Sequence, residues 1–170
     1  MAGPAYDDRD GLIWHNGEMV NWRDAKVHML THALHYGSSV FEGERAYNGV
    51  IFEGHRHSER LLDSGKAMDI PIPYTAEEID AAKEEALKAS GLSDAYVRAV
   101  CWRWSGTDMG VAAAANPVNM AVAVWAWGAY YGDAKFQGAK LDISKWKRPS
   151  PETIPCHAKA SGLYMICTMS

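Results

Sequence analysis

The stretch "SSVFEGERAYNGVIF", residues 38–52, decides how this chain is read. Asn48-Gly49 is a strong two-residue turn signal, because both central positions of a type I′ turn need positive φ. Val40, Phe41 and Tyr47 precede the turn, and Val50, Ile51 and Phe52 follow it, so the segment predicts a β-hairpin. Side chains alternate along a strand, which puts Phe41, Gly43, Arg45 and Tyr47 on one face of the first arm. An arginine between two aromatics on one face is unusual for plain core. Glu44 is expected to point away from that face.

Working outward, "LIWHNGEMVNW" (12–22) predicts an earlier hairpin turning at Asn16-Gly17. Downstream, a helix is predicted over His55 to Met68, with Leu61, Leu62, Gly65 and Met68 as its apolar stripe and the Pro71/Pro73 region as its stop. Thr75 and Glu78 form a capping-box pattern opening a second helix over 76–90, with Ile79, Ala82, Ala86 and Leu87 inward and Gly91 at its end. "AYVRAVCWRW" (95–104) and "VNMAVAVWAWG" (118–128) read as two long strands. In the first, Tyr96, Arg98, Val100, Trp102 and Trp104 share a face. "AKLDISKW" (139–146) is expected to start another strand, and "GLYMICTMS" (162–170) a helix. Residues 1–10 are expected to be a loose tail.

The 170 residues leave room for one domain with a sizeable core, or for one domain and part of another. With 48% hydrophobic and 22% charged residues, the composition is that of an ordinary globular protein. A net charge of −4 argues against a nucleic-acid role. Three cysteines without close spacing fit a reducing cytoplasm and no disulfide framework. The acidic start "MAGPAYDDRD" is not a signal peptide, and "MAVAVWAWGAYY" (120–131) is too short and too β-rich to cross a bilayer, so no membrane partner is expected. The seven tryptophans could fill a core or wall a ligand pocket.

Several chemistries can be weighed. His28, His32 and His35 would share a face on a helix and could bind zinc, but no HExxH or CxxC pattern accompanies them, and the β-like flanks argue against a regular helix. No metal site is expected. No nucleophile elbow or glycine-rich phosphate loop occurs. Cys156 and His157 are adjacent and point apart. There remains "PCHAKASGLY" (155–164), where Lys159 stands among Ala158, Ala160, Ser161 and Gly162, with Tyr164 five positions on. Small flanks let a flat ring approach the backbone, and a tyrosine there could hydrogen-bond to it. That is the layout of a lysine forming an imine with a carbonyl cofactor; an ordinary exposed lysine in a loop fits the same residues.

A wider likeness bears on the choice. "HALHYGSSVFEGERAY" (32–47) closely resembles the YGxSVFEGxRxY segment of branched-chain-amino-acid aminotransferases, class IV (fold type IV) enzymes that use pyridoxal 5′-phosphate (PLP). "WHNGEMVNWRDAKVH" (14–28), "HSERLLDSGK" (57–66), "YVR" (96–98), "MGV" (109–111), "WGAYYG" (127–132) and "TIPCHAKASGLY" (153–164) are similar to family segments, in order and without large gaps.

The resemblance implies an α+β fold type IV PLP enzyme. Residues 11–128 would form a sheet-plus-two-helices domain, 129–138 an interdomain connector, and 139–170 the truncated start of the cofactor domain. Lys159 would carry the PLP aldimine and shuttle the substrate proton, Tyr164 would hydrogen-bond to the ring's phenolic oxygen, and Arg60 would hold the phosphate. Tyr36, Phe41, Trp127 and Tyr130 would wall an apolar substrate pocket. Arg45, Tyr96 and Arg98 would supply its polar edge, and Tyr36 with the Met109–Val111 loop would reach a partner subunit's site in a homodimer or higher homo-oligomer. The implied reaction is transamination between Leu, Ile or Val and 2-oxoglutarate in the cytoplasm.

The lysine segment reads KASGLY where many relatives have KAGGNY, a modest departure. The larger one is length: an apolar run ends at Ser170 with nothing to cover it, so the sequence is expected to be a fragment, inactive alone. The alternatives are another class IV enzyme (D-amino-acid aminotransferase, amine transaminase or aminodeoxychorismate lyase) and a non-enzymatic ligand-binding domain.

Overall fold

The computed structural model describes residues 4–128 and 132–170. Both predicted turns form, with Asn16, Gly17, Asn48 and Gly49 all at positive φ. The first joins β1 (Leu12–His15) to β2 (Glu18–Asn21). The second joins β4 (Glu44–Tyr47) to β5 (Val50–Ile51). The arm before β4 is continued by β3 (Ser39–Phe41), and both pair antiparallel with β6 (Ala95–Arg103) in one unbroken register. Phe41 lies opposite Val100 and Arg45 opposite Tyr96, so the face inferred from alternation is real. β7 (Val118–Trp125) pairs with β6 from Tyr96 to Arg103 and also with β1, giving a sheet ordered β2-β1-β7-β6-β4-β5.

Two helices cover one face. α2 (Gly54–Ala67) buries Leu61 and Gly65, and α3 (Ala76–Ser90) begins at the expected Thr75/Glu78 capping box and ends at Gly91 in the left-handed region. Ile79, Ala82, Ala86 and Leu87 meet Val40, Ala46, Val97, Ala99, Cys101, Met120 and Val122 in one core. Two carboxylates enter this apolar layer. Glu44 points away from Arg45's face, as expected, and is fully buried against Lys83 at 3.0 Å; Glu42 is buried beside it. Opposite, the sheet carries Arg98, Val100, Ala121 and Ala123 into an open cleft of about 940 Å³. Tyr164 lines the same cleft.

Three expectations need correction. Residues 4–10 are not loose: Asp8 and Asp10 each pair with Arg23 at 2.7 Å, and the Tyr6 ring meets Trp125 edge-on at 5.5 Å, so charge and aromatic contacts dock the segment. A short helix, α1 (His32–Tyr36), does form where the β-like flanks argued against one, closed by Gly37 in the left-handed region. Residues 139–146 form no strand, because a strand needs a ladder partner; Leu141 and Ile143 are 91% and 95% exposed, with no such partner among the described residues. The predicted helix at 162–170 is a 3-10 turn over Ser161–Tyr164 running into α4 (Met165–Met169).

Candidate active site

The segment carrying Lys159 is held to the free edge of β3. Ala160 bridges Val40, the Phe41 amide donates to the Lys159 carbonyl at 3.1 Å, and the Lys159 amide donates to Ser64 Oγ of α2 at 3.0 Å. Both backbone polar groups of the lysine are therefore used, and its Cα is fixed between sheet and helix. Ala158 and Ala160 are fully buried there, which explains the small residues: larger ones would push the segment off Val40 and the core. Gly37 and Gly162 cross closely, since a β-carbon on Gly37 would lie 3.2 Å from Gly162 Cα.

From this anchored backbone the Lys159 amine donates to the Tyr164 hydroxyl at 2.6 Å and sits 4.4 Å from the Phe41 ring centroid. The Phe41 and Tyr164 rings lie 4.9 Å apart. Lys159 and Tyr164 line a cleft of about 220 Å³ with Arg60, Arg148 and His157. Tyr164 also borders the larger sheet-face cleft, so its ring stands between the two spaces.

Arg60 is gripped by Glu42: its Nε and terminal nitrogen donate to the two carboxylate oxygens at 2.7 and 2.6 Å. His57 Nδ1 adds a third donor at 2.8 Å. Burial of Glu42 disfavours its charge, but the hydrogen bonds from Arg60 and His57 outweigh that and hold its carboxyl below the usual range. Arg148 donates to the Cys156 and Ala158 carbonyls at 2.6 and 3.1 Å, bracing the turn before the lysine.

Arg45, Tyr96 and Arg98 come together where β4 faces β6. Arg98 donates to the Tyr96 hydroxyl at 3.0 Å and lies 4.7 Å over the Phe41 ring, with its buried Nε unpaired. Arg45 donates to the Trp127 carbonyl at 2.8 Å, and the Tyr96 and Trp127 rings are 4.5 Å apart. Phe41, Arg45, Tyr96, Arg98 and Trp127 are thus one connected group, joined through Phe41 to Lys159 and Tyr164. Tyr36, Met109 and Val111 form another: the Tyr36 hydroxyl donates to the Met109 carbonyl at 2.7 Å, and His32 Nε2 donates to the Val111 carbonyl at 3.2 Å. Tyr130 lies outside the described residues. His28 and His35 have separate partners, the Leu30 amide and the Met29 carbonyl.

Sequence reasoning missed Glu42, Ser64 and Arg148. For Glu42 a signal existed: an acidic residue at an inward strand position must find a buried partner. Ser64 and Arg148 act on backbone groups brought to them by tertiary packing, which no local pattern announces.

With fold and grouping in place, comparison supplies the class. The model of the amino-transferase class IV family matches residues 39–170, and the chain belongs to that family. It is similar to the branched-chain-amino-acid aminotransferase of Pseudomonas aeruginosa, with 42% identity over 163 residues, 93% of this chain and 53% of that protein. The solved branched-chain amino acid aminotransferase of Escherichia coli superposes with a TM-score of 0.84 at 37% identity, covering 94% of this chain and 54% of that one. The T.th. branched-chain amino acid aminotransferase, solved with pyridoxamine 5′-phosphate, gives 0.88 at 38% identity, covering 95% and 54%. The chain spans about half the length of the curated relatives it matches. The fold is the N-terminal part of a fold type IV aminotransferase.

Proposed function

We propose that this chain is the amine-bearing half of a PLP-dependent aminotransferase that exchanges amino groups between branched-chain L-amino acids and 2-oxoglutarate. The carrying observation is the Lys159 amine, fixed at its backbone on both sides and hydrogen-bonded to Tyr164 within the cleft shared with Arg60 and Arg148. The donors suit the cofactor: two guanidinium groups match a phosphate ester, the amine can condense with an aldehyde, and the Tyr164 hydroxyl can meet a ring oxygen. When bound, the cofactor supplies the electron sink for the substrate Cα carbanion. With the cofactor bound, the Lys159 amine would move the proton at the substrate Cα as a general base.

Phe41 and Trp127, with Tyr130, would line the space for a branched side chain, where each buried CH₂ is worth about 0.8 kcal/mol. Arg98, whose Nε lacks a partner, would meet the side-chain carboxylate of the second substrate at the rim of that apolar space, with Tyr96 and Arg45 completing the edge. Tyr36, Met109 and Val111 would serve the neighbouring site across a dimer. Residues 11–128 would be the N-terminal domain, 129–138 the connector, and 139–170 the opening of the cofactor domain. This chain alone is expected to be inactive, because the relatives use about as much length again. Its free cysteines accord with a cytoplasmic enzyme.

The test is reconstitution of the full-length protein with PLP, borohydride reduction and peptide mapping. The expected result is a stable secondary amine on Lys159. Rates of the first half-reaction with L-leucine and D-alanine then separate this reading from other class IV activities; preference for D-alanine, or labelling elsewhere, overturns it.

A further inference from the structure

Two consecutive residues, the last of β3 and the one that follows it, hold two different parts of the site. The Phe41 amide binds the Lys159 carbonyl, and the next side chain, Glu42, binds Arg60. The Glu42 amide is itself tied to the Ala99 carbonyl of β6 at 2.8 Å, so this step of backbone is fixed within the sheet. We propose that Glu42 is a positioning residue for anion binding: its buried carboxylate presets the Arg60 guanidinium at a fixed place relative to the Lys159 amine. The inference rests on the cofactor reading of the cleft.

The pairing is asymmetric. The Glu42 side chain is 1% exposed, whereas that of Arg60 is 56% exposed. A surface arginine that open to water is ordinarily mobile and loses rotamer freedom when it captures an anion. Here a fork-to-fork pair consumes Nε and one N–H of a terminal nitrogen, leaving three N–H groups of the planar guanidinium for a ligand. The bidentate geometry fixes the plane of those three. His57 donates to the same carboxylate oxygen, Oε2, that receives the Arg60 terminal nitrogen, so Glu42 has little freedom to follow an arginine that turns away. A carboxylate facing a phosphate site would repel the ligand if it stood alone; with its charge spent on Arg60 and His57, it orients the cation while remaining behind it.

The test compares two probes that differ only in the phosphate. Affinities of the full-length protein for PLP and for pyridoxal are measured by absorbance titration, for the parent, Glu42→Gln, Arg60→Lys and the double variant. In Glu42→Gln one acceptor oxygen becomes an NH₂ that opposes the Arg60 donor. PLP affinity is expected to fall about tenfold to a hundredfold, the range of a lost charge-assisted hydrogen bond, with pyridoxal affinity changing less than about twofold. In the Arg60→Lys background the Glu42 change should cost little more, since it acts through the arginine. An equal loss for both probes, or no loss for either, overturns the proposal. If Glu42→Gln does not fold, Glu42→Asp keeps the charge, withdraws the carboxylate by one methylene and carries the same comparison. Failure of the unmodified protein to bind PLP would instead remove the cofactor reading, and this inference with it.

Discussion

Gly43 lies directly under Tyr96: a β-carbon built on Gly43 would overlap the Tyr96 hydroxyl. The contact is with a side chain, and Gly43 has no positive φ, so space and not backbone conformation demands glycine here. Gly43→Ala must therefore displace Tyr96 and with it the Tyr96–Arg98 hydrogen bond. Overpacking of this kind costs about 1–3 kcal/mol, or several degrees of thermal midpoint for a chain of this size. Adding Tyr96→Phe, which removes the overlapping oxygen, should recover part of the loss. Thermal unfolding of the single and double variants checks this; a double variant no better than Gly43→Ala alone would show that the ring is not the obstacle.

Lys83 and Glu44 give a second prediction. Lys83 Nζ, 1% exposed, donates to Glu44 at 3.0 Å and to the Gly54 carbonyl at 2.6 Å, and pairs with Asp80 at 3.1 Å. Burial pushes the Glu44 carboxyl upward, and Lys83 offsets this only in part. In Lys83→Met that offset is gone. Breaking such a pair costs about 3–5 kcal/mol. A carboxyl raised in the fold binds more protons there than in the unfolded chain, so stability falls as pH rises from its ordinary value of 4.5 through its folded value. The deficit of Lys83→Met should accordingly be largest near pH 8 and shrink toward pH 5, and Glu44→Gln in the same chain should flatten the difference. Urea unfolding at several pH values measures it.

The hairpins, the capping box and the two helix stripes were legible because each rests on local chemistry: positive φ at Asn-Gly, reciprocal capping, and periodic burial. The face shared by Phe41, Arg45, Tyr96 and Arg98 was legible because the two-residue period survives through Gly43 without a bulge. What was hidden depends on distance in sequence. Nothing near Lys159 announces Ser64, 95 positions earlier, as the acceptor of its amide. The docked segment around Tyr6 looked loose because its partners, Arg23 and Trp125, belong to other elements. The 139–146 pattern promised a strand, but alternation proposes only a face; hydrogen-bonding neighbours make the strand.

His55 offers a local test of the charges above α3. Its ring meets Asp80 at 2.7 Å, and this hydrogen bond holds its pKa above the ordinary 6.5. The sign follows from linkage: the protonated ring is favoured by the fold, so the contribution is complete below about pH 6.5 and fades as pH rises through the folded value. An NMR titration should place the His55 midpoint above 6.5, and Asp80→Asn should lower it. A midpoint unmoved by Asp80→Asn would assign the shift to another source, such as Glu59.

Arg98 carries the sharpest functional prediction. Its guanidinium lies over Phe41 and donates one hydrogen bond to Tyr96, so part of its donor set is available at the rim of the apolar space. If that edge receives the glutamate side chain, Arg98→Gln removes the charge facing the carboxylate while leaving the wall that holds an aliphatic chain. Loss of one member of a desolvated charge pair typically costs about 2–5 kcal/mol. In the full-length enzyme the half-reaction with L-glutamate should slow by about a hundredfold or more in kcat/KM, against less than about tenfold for L-leucine. The separation matters more than either value: a charge serving both substrates through their shared α-carboxylate would depress the two rates together. Stopped-flow measurement of the two half-reactions distinguishes these outcomes, and parallel losses would move Arg98 from side-chain selection to general substrate binding.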